Sequence, residues 1–155
     1  MLKMTHLLLG AAAVVGIASA TTARAQSVTL PGSTCIGEAG NVQYSGGTIF
    51  NAGPGSAQIL CVEGQRVRDV RRMTAAVFDS NTSDRVSCVF WGESFGQFTF
   101  GPTTRNTSIP GTGQSTLRVS VSNSNQTRAA AVRCYLPPPG GGVGSGLFSY
   151  TITTR

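Results

Sequence analysis

The chain has 155 residues, and its only lysine and only histidine, Lys3 and His6, both fall within the first six. From Leu7 onward neither occurs. Without histidine there is no base for a Ser-His or Cys-His pair and no imidazole to hold a metal. Without lysine there is no Schiff base and no Ser-Lys dyad. A G-x-x-x-x-G-K phosphate loop is also missing. The nearest approach to a nucleophile elbow, Gly142-Val143-Gly144-Ser145-Gly146, puts its serine one place too late, and no histidine follows. No CxxC pair is present, which argues against a dithiol redox catalyst and against zinc. Charged residues make up 12% of the chain. That is about half the usual share, so there is no charged tail or block.

What is present begins with a secretory leader. Lys3 and His6 form a short polar start, and Leu7 to Ala18 is an apolar and small-residue run. That run is shorter than the roughly 20 residues a spanning helix needs. Ala23-Arg24-Ala25 offers small residues at the −3 and −1 positions of a cleavage site. The reading is a signal peptide over 1–25 and a single domain over 26–155, exported to the periplasm or secreted. No cysteine follows the cleavage site directly, so no lipid anchor is expected, and no later run is apolar enough to span a bilayer. The exported part keeps ten arginines against six acids, a net charge of 10 − 6 = +4. A modest positive charge favours anionic partners in general without selecting one, and it implies no specific nucleic acid.

The exported part is rich in Ser, Thr, Gly, Asn and Val, a composition that suits strands joined by turns. In Ser115 to Ser122, Leu117, Val119 and Val121 alternate with polar residues. In Ala129 to Leu136, Ala130, Val132, Cys134 and Leu136 share a face, with Arg133 and Tyr135 opposite. In Leu147 to Thr154, Phe148, Tyr150 and Ile152 alternate with hydroxyls. A period of two with one polar face predicts half-buried antiparallel strands. Ala57 to Val62 reads as a buried strand, and Ser45-Gly46-Gly47 as a tight turn. Met73 to Asp79 and Arg85 to Trp91 read as a hairpin around the turn formers at 79–84. Phe95 to Phe100 reads as an aromatic strand ended by Gly101-Pro102, and 137–142 as an exposed loop tip. About eight such strands predict an all-β, antiparallel β-sandwich, Ig-like or jelly-roll-like.

The strands Ile59-Leu60-Cys61-Val62, Arg85-Val86-Ser87-Cys88-Val89-Phe90, Val132-Arg133-Cys134-Tyr135-Leu136-Pro137 and Phe148-Ser149-Tyr150-Thr151-Ile152 carry a resemblance. Together they resemble a loose group of small exported bacterial proteins with C-P, V-S-C, R-C-x-L-P and S-Y-x-V strands. The chain departs from that pattern at Val62, where the group tends to have proline. The resemblance implies a two-disulfide β fold and export, and it carries over no functional residue.

The four cysteines, Cys35, Cys61, Cys88 and Cys134, allow three connectivities. The strand pattern favours Cys35 with Cys61 and Cys88 with Cys134. Cys88 shares a face with Val86 and Phe90, and Cys134 with Val132 and Leu136, so both point inward. Cys35 would tie a Gly-rich start to the first well-formed strand.

Candidate functional residues are few. Arg66, Arg68, Arg71 and Arg72 form the one basic cluster. Arg66, Arg68 and Arg72 would share a face of an extended segment and could clamp an anionic group. A charged edge strand that resists edge pairing accounts for them equally well. In the aromatic run Phe90, Trp91, Phe95, Phe98 and Phe100, Phe90 shares the inward face of Cys88, so Trp91 points the other way. Trp91 could then stack on a sugar or a partner, although a sandwich core also needs large aromatics. Glu38, Glu63, Asp69, Asp79, Asp84 and Glu93 are the carboxylates from which a glycosidase pair would be drawn. Asp79-x-Asn81-x-Ser83 has the oxygen spacing of a calcium loop, but Asp84 and Phe90 stand where such a loop has glycine and glutamate. The expectation is a non-enzymatic binding or structural module with no cofactor and no metal. Its partner would be a glycan, an anionic envelope polymer or another protein. The alternative is a carboxylate-dependent polysaccharide hydrolase.

Overall fold

A computed structural model describes residues 25–64, 69–122 and 127–155. The expected leader lies outside them save its last residue, as do Arg66 and Arg68. The described chain is all β: β1 (Ser27–Pro31), β2 (Ile36–Ala39), β3 (Val42–Ser45), β4 (Thr48–Asn51), β5 (Ala57–Gly64), β6 (Val70–Asp79), β7 (Ser87–Ser94), β8 (Gln97–Asn106), β9 (Gly113–Ser120), β10 (Ala129–Leu136) and β11 (Gly146–Thr154), with one 3-10 turn at Gly32–Thr34. No described helix is long and apolar enough to cross a membrane.

Two antiparallel sheets form a sandwich. One runs β3-β4-β11-β6-β9, with β1 also on β11, and the other runs β2-β5-β10-β7-β8. The last eight strands obey a simple rule. β7 pairs β8, β6 pairs β9, β5 pairs β10 and β4 pairs β11. The chain from β4 to β11 is therefore one long hairpin, rolled so that alternate rungs fall in opposite sheets. That is the jelly roll, and it decides between the two sandwich types left open above. The remaining three strands precede the roll.

The core lies between the sheets, because period two turns alternate residues inward. Phe90, Ile49, Ile59, Met73, Leu147 and Ile152 are among its fully buried side chains. The bridges are Cys35–Cys61 and Cys88–Cys134, the pairs favoured by the strand pattern. Cys88 and Cys134 are direct cross-strand partners on β7 and β10. Both bridges staple the five-stranded sheet rather than joining the two sheets.

Several local expectations change. Strands β6 and β7 lie in different sheets, so 79–86 is a corner and not a hairpin. Turn formers are needed in either case, and pairing alone tells them apart. The hairpin is β7–β8, turning at Phe95-Gly96 with both φ positive (51° and 76°), and β8 continues through Gly101-Pro102. Simple alternation predicts Phe148 on the face of Tyr150. A bulge between Leu147 and Ser149 turns it outward. Pro137 is buried, whereas 140–143 is exposed. Arg71 and Arg72 belong to β6, which is paired on both sides by β11 and β9, so the edge-strand account does not hold for them.

Two buried polar side chains hold the corners. Asn51, fully buried, donates through Nδ2 to the carbonyls of Gly55, Leu136 and Pro137, and its Oδ1 accepts from the Gly53 N–H. Buried Asp79 accepts from the N–H groups of Asn81 and Val86 and from the Thr107 hydroxyl. Every buried side-chain nitrogen and oxygen among the described residues has a partner.

Candidate functional site

Because Phe90 is committed to the core, its neighbours Val89 and Trp91 face out from the five-stranded sheet. The register then assembles a site. Cys134 pairs Cys88, Arg133 pairs Val89 and Ala131 pairs Trp91. Arg133 is thus the diagonal neighbour of Trp91, within reach of a long side chain, with the small Ala131 directly opposite the indole. On the other side of Trp91 the ladder bulges. Phe90 pairs Thr103 and Gly92 pairs Phe100, so Gly101 and Pro102 stand as an extra step. Gly101 is required there, with φ 77° and any Cβ only 2.5 Å from the Phe90 carbonyl oxygen.

The result is an open groove of about 320 Å³ lined by Val89, Trp91, Glu93, Phe98, Pro102, Arg133 and Tyr135. Its rim is exposed: Phe98 retains 63% of its accessible surface and Tyr135 42%. Arg133 lies over the Trp91 ring, its guanidinium carbon 5.5 Å from the ring centre. Glu38, on β2, grips the same guanidinium with both oxygens, at 2.7 Å to Nε and 2.9 Å to the second nitrogen. Gln58 donates to the same carboxylate at 2.9 Å. The hydrogen bond from Arg133 is the main reason the Glu38 carboxyl titrates below its ordinary range, and Glu38 in turn raises Arg133. Beyond the groove, the Arg128 guanidinium covers the Phe95 ring at 3.9 Å.

The opposite sheet bears a second depression, of about 210 Å³, lined by Thr48, Phe50, Phe78, Val143, Gly144 and Phe148. Thr48 is its one polar side chain. With a single side-chain hydroxyl, such a surface offers few polar groups to orient a polar ligand.

The residues singled out from sequence do not form one site. Trp91 is in the groove, and the core account of it is overturned: Phe90 fills the core instead. Arg72 is exposed on the other sheet. Arg66 and Arg68 lie outside the described residues. Two members of the calcium-like loop are engaged by the chain itself: the Asp79 carboxylate accepts from the Asn81 and Val86 N–H groups, and Asn81 Oδ1 accepts from those of Ser83 and Asp84. Among the described residues no three Cys, Asp or Glu side chains converge as a metal site. Ser145 is buried, and its hydroxyl accepts from the Ser80 N–H. Arg133, Tyr135, Phe98 and Pro102 were not anticipated as site residues. Arg133 and Tyr135 were readable as the outward face of their strand, and only the register brings them to Trp91.

No family model matches the chain, and no curated protein is significantly similar to it in sequence. The short strand motifs therefore establish no family membership. Solved structures share the fold. A family two carbohydrate esterase from Cellvibrio japonicus aligns with TM-score 0.55 and 13% identity over 85% of this chain. The alignment covers 35% of the esterase, so this chain spans about a third of that length. CBM86, described as a low affinity xylan binding module from Roseburia intestinalis, aligns with TM-score 0.52 and 14% identity over 82% of this chain and 94% of the module. The CBM36-1 domain of a multidomain xylanase from the hindgut metagenome of Trinervitermes trinervoides aligns with TM-score 0.50 and 9% identity over 82% and 96%. The chain is thus a jelly-roll sandwich similar in fold to carbohydrate-binding modules.

Proposed function

We propose that the protein is an exported, non-enzymatic glycan-binding module that takes its ligand in the groove around Trp91. The observation that carries this reading is the side-chain set: an outward indole flanked by a fixed guanidinium, a carboxylate and a phenol. A sugar ring presents an apolar C–H face to an aromatic and hydroxyls to polar groups at its edge, and this groove offers both. That two of the similar folds are described as a xylan binding module and a xylanase domain supports the same ligand class. Two disulfides fit an oxidising compartment, in line with the leader read from the sequence.

The hydrolase alternative needs two carboxyl groups about 5 to 10 Å apart across the ligand. The groove lining holds one, Glu93, and Glu38 is engaged by Arg133. The test uses the fact that Trp91 is the sole tryptophan. Titrating soluble xylan, mannan and β-glucan fragments into the exported protein should give a saturable change in tryptophan emission for at least one of them, with no release of reducing ends. Flat titrations across the panel would overturn the reading, and sustained release of reducing ends would favour the hydrolase.

A further inference from the structure

The basic charge of the whole chain suggests an anionic ligand, and the groove suggests the opposite. Arg133 is the one cation among the groove-lining residues, and its Nε and one terminal nitrogen are already bonded to the two oxygens of Glu38. That fork-to-fork geometry is the one a guanidinium would use for the carboxylate of an acidic sugar. The place is taken by the protein's own carboxylate. Charge is cancelled there as well, and Glu93 adds a negative group to the lining. Two of the five guanidinium N–H donors are used in the pair, leaving the others to serve neutral hydroxyl and ring oxygens. Glu38 reaches across the outer face from β2 to β10, over the intervening β5, and is itself steadied by Gln58 from β5.

Resting on the glycan reading, we propose that the groove selects uncharged polysaccharide and rejects uronic-acid-bearing chains, and that Glu38 is the residue that sets this preference. Glu38 acts as an internal stand-in for an acidic ligand. It fixes the guanidinium over Trp91 in a charge-compensated pair that still donates hydrogen bonds, instead of leaving it free as an anion receptor. Removing the carboxylate leaves the positive charge of Arg133 uncompensated in the same groove.

The experiment compares the wild-type protein, Glu38→Gln, and Glu38→Gln combined with Arg133→Met. Each is titrated by tryptophan emission with neutral oligosaccharides (xylo-, manno- and cello-hexaose) and with oligogalacturonate of equal length, at low and high salt. Wild-type protein should bind at least one neutral chain about tenfold or more tighter than oligogalacturonate. Glu38→Gln should gain about tenfold for oligogalacturonate, and the gain should vanish at high salt. The double variant should lose that gain. Circular dichroism checks that each variant is folded, and the exposed position of Glu38 makes folding the expected result. Wild-type protein that binds oligogalacturonate as tightly as neutral chains would overturn the selectivity while leaving the glycan reading intact. Discrimination that persists unchanged in Glu38→Gln would overturn the role of Glu38. Binding of no chain by any variant would overturn the glycan reading and this proposal with it.

Discussion

Arg133 lies over the ring of Trp91, 5.5 Å from its centre, and the Cys88–Cys134 bridge, next to Arg133 on one strand and three residues before Trp91 on the other, fixes the register that holds the two in that relation. Cys88 and Cys134 face each other directly across β7 and β10. Counting outward from that staple places Arg133 opposite Val89 and diagonal to Trp91. The disulfide thus serves two purposes: it restricts the unfolded chain, and it pins the register on which the groove depends, since a slip of one residue would turn Trp91 inward.

Replacement of Trp91 by alanine should abolish measurable glycan binding, a loss of about tenfold or more. Stability should fall by only about 1 kcal/mol, because the ring sits on the outer face. Affinity electrophoresis in polysaccharide gels, beside urea unfolding, checks both halves.

Loss of either bridge should be costly. The loops closed span 26 and 46 residues. In the chain-entropy picture these correspond to about 3.5 and about 4 kcal/mol. Urea unfolding of Cys35→Ala/Cys61→Ala and of Cys88→Ala/Cys134→Ala should show both variants weakened, the second more so. Equal stability with and without reductant in the wild-type protein would contradict a structural role.

Asn51 makes four hydrogen bonds from a fully buried position. Asn51→Ala strands three carbonyls and one N–H and should cost about 3 kcal/mol or more. Asn51→Asp should be no better, since a carboxylate cannot donate to the carbonyls of Gly55, Leu136 and Pro137. A denaturant midpoint within error of wild type for either variant would refute this account.

Glu38 titrates below its ordinary value of 4.5 in the folded protein. A depressed carboxyl contributes stability that is present above the unfolded value and is lost as pH falls through the folded one. Wild-type protein should therefore exceed Glu38→Gln slightly at neutral pH, by about half a kcal/mol because the pair is partly exposed. That margin should close progressively below 4.5. Trp91 emission should change over the same range, as protonation of Glu38 releases Arg133. An acid-independent margin would count against the pair.

Polyanion retention is a separate matter from the groove. We propose that any salt-sensitive binding to heparin resides in Arg66, Arg68 and Arg72. Of these, Arg72 is exposed on the sheet that does not carry Trp91. The triple alanine variant should elute earlier from heparin while its tryptophan titration with neutral glycan stays unchanged. A parallel loss of both activities would show a shared surface.

Much of the sandwich was legible from alternation alone. The expected strand over Ala129–Leu136 is β10 itself, and the Gly46-Gly47 turn joins β3 to β4 with both φ positive (56° and 83°). Where the reading failed, it failed on pairing. The Asx-rich segment at 79–84 has the same turn chemistry in a corner as in a hairpin. The outward turn of Phe148 depends on a bulge that no local pattern marks.

Sequence by itself determined that this is a disulfide-stapled β domain without histidine or lysine chemistry, because residue types and period-two alternation are local properties. Alternation also set Trp91 on the face opposite Phe90, but a core role for the indole stayed open until the structure filled the core with Phe90. Only the tertiary structure decided what stands beside that indole. Arg133 arrives from β10 and Glu38 from β2, 42 and 53 positions away along the chain by the numbering. Their meeting rests on strand order and register, which long-range packing sets. The charge of Arg133 followed the same rule: its sign was written in the sequence, and its cancellation by Glu38 was a matter of which strand came to lie two places away.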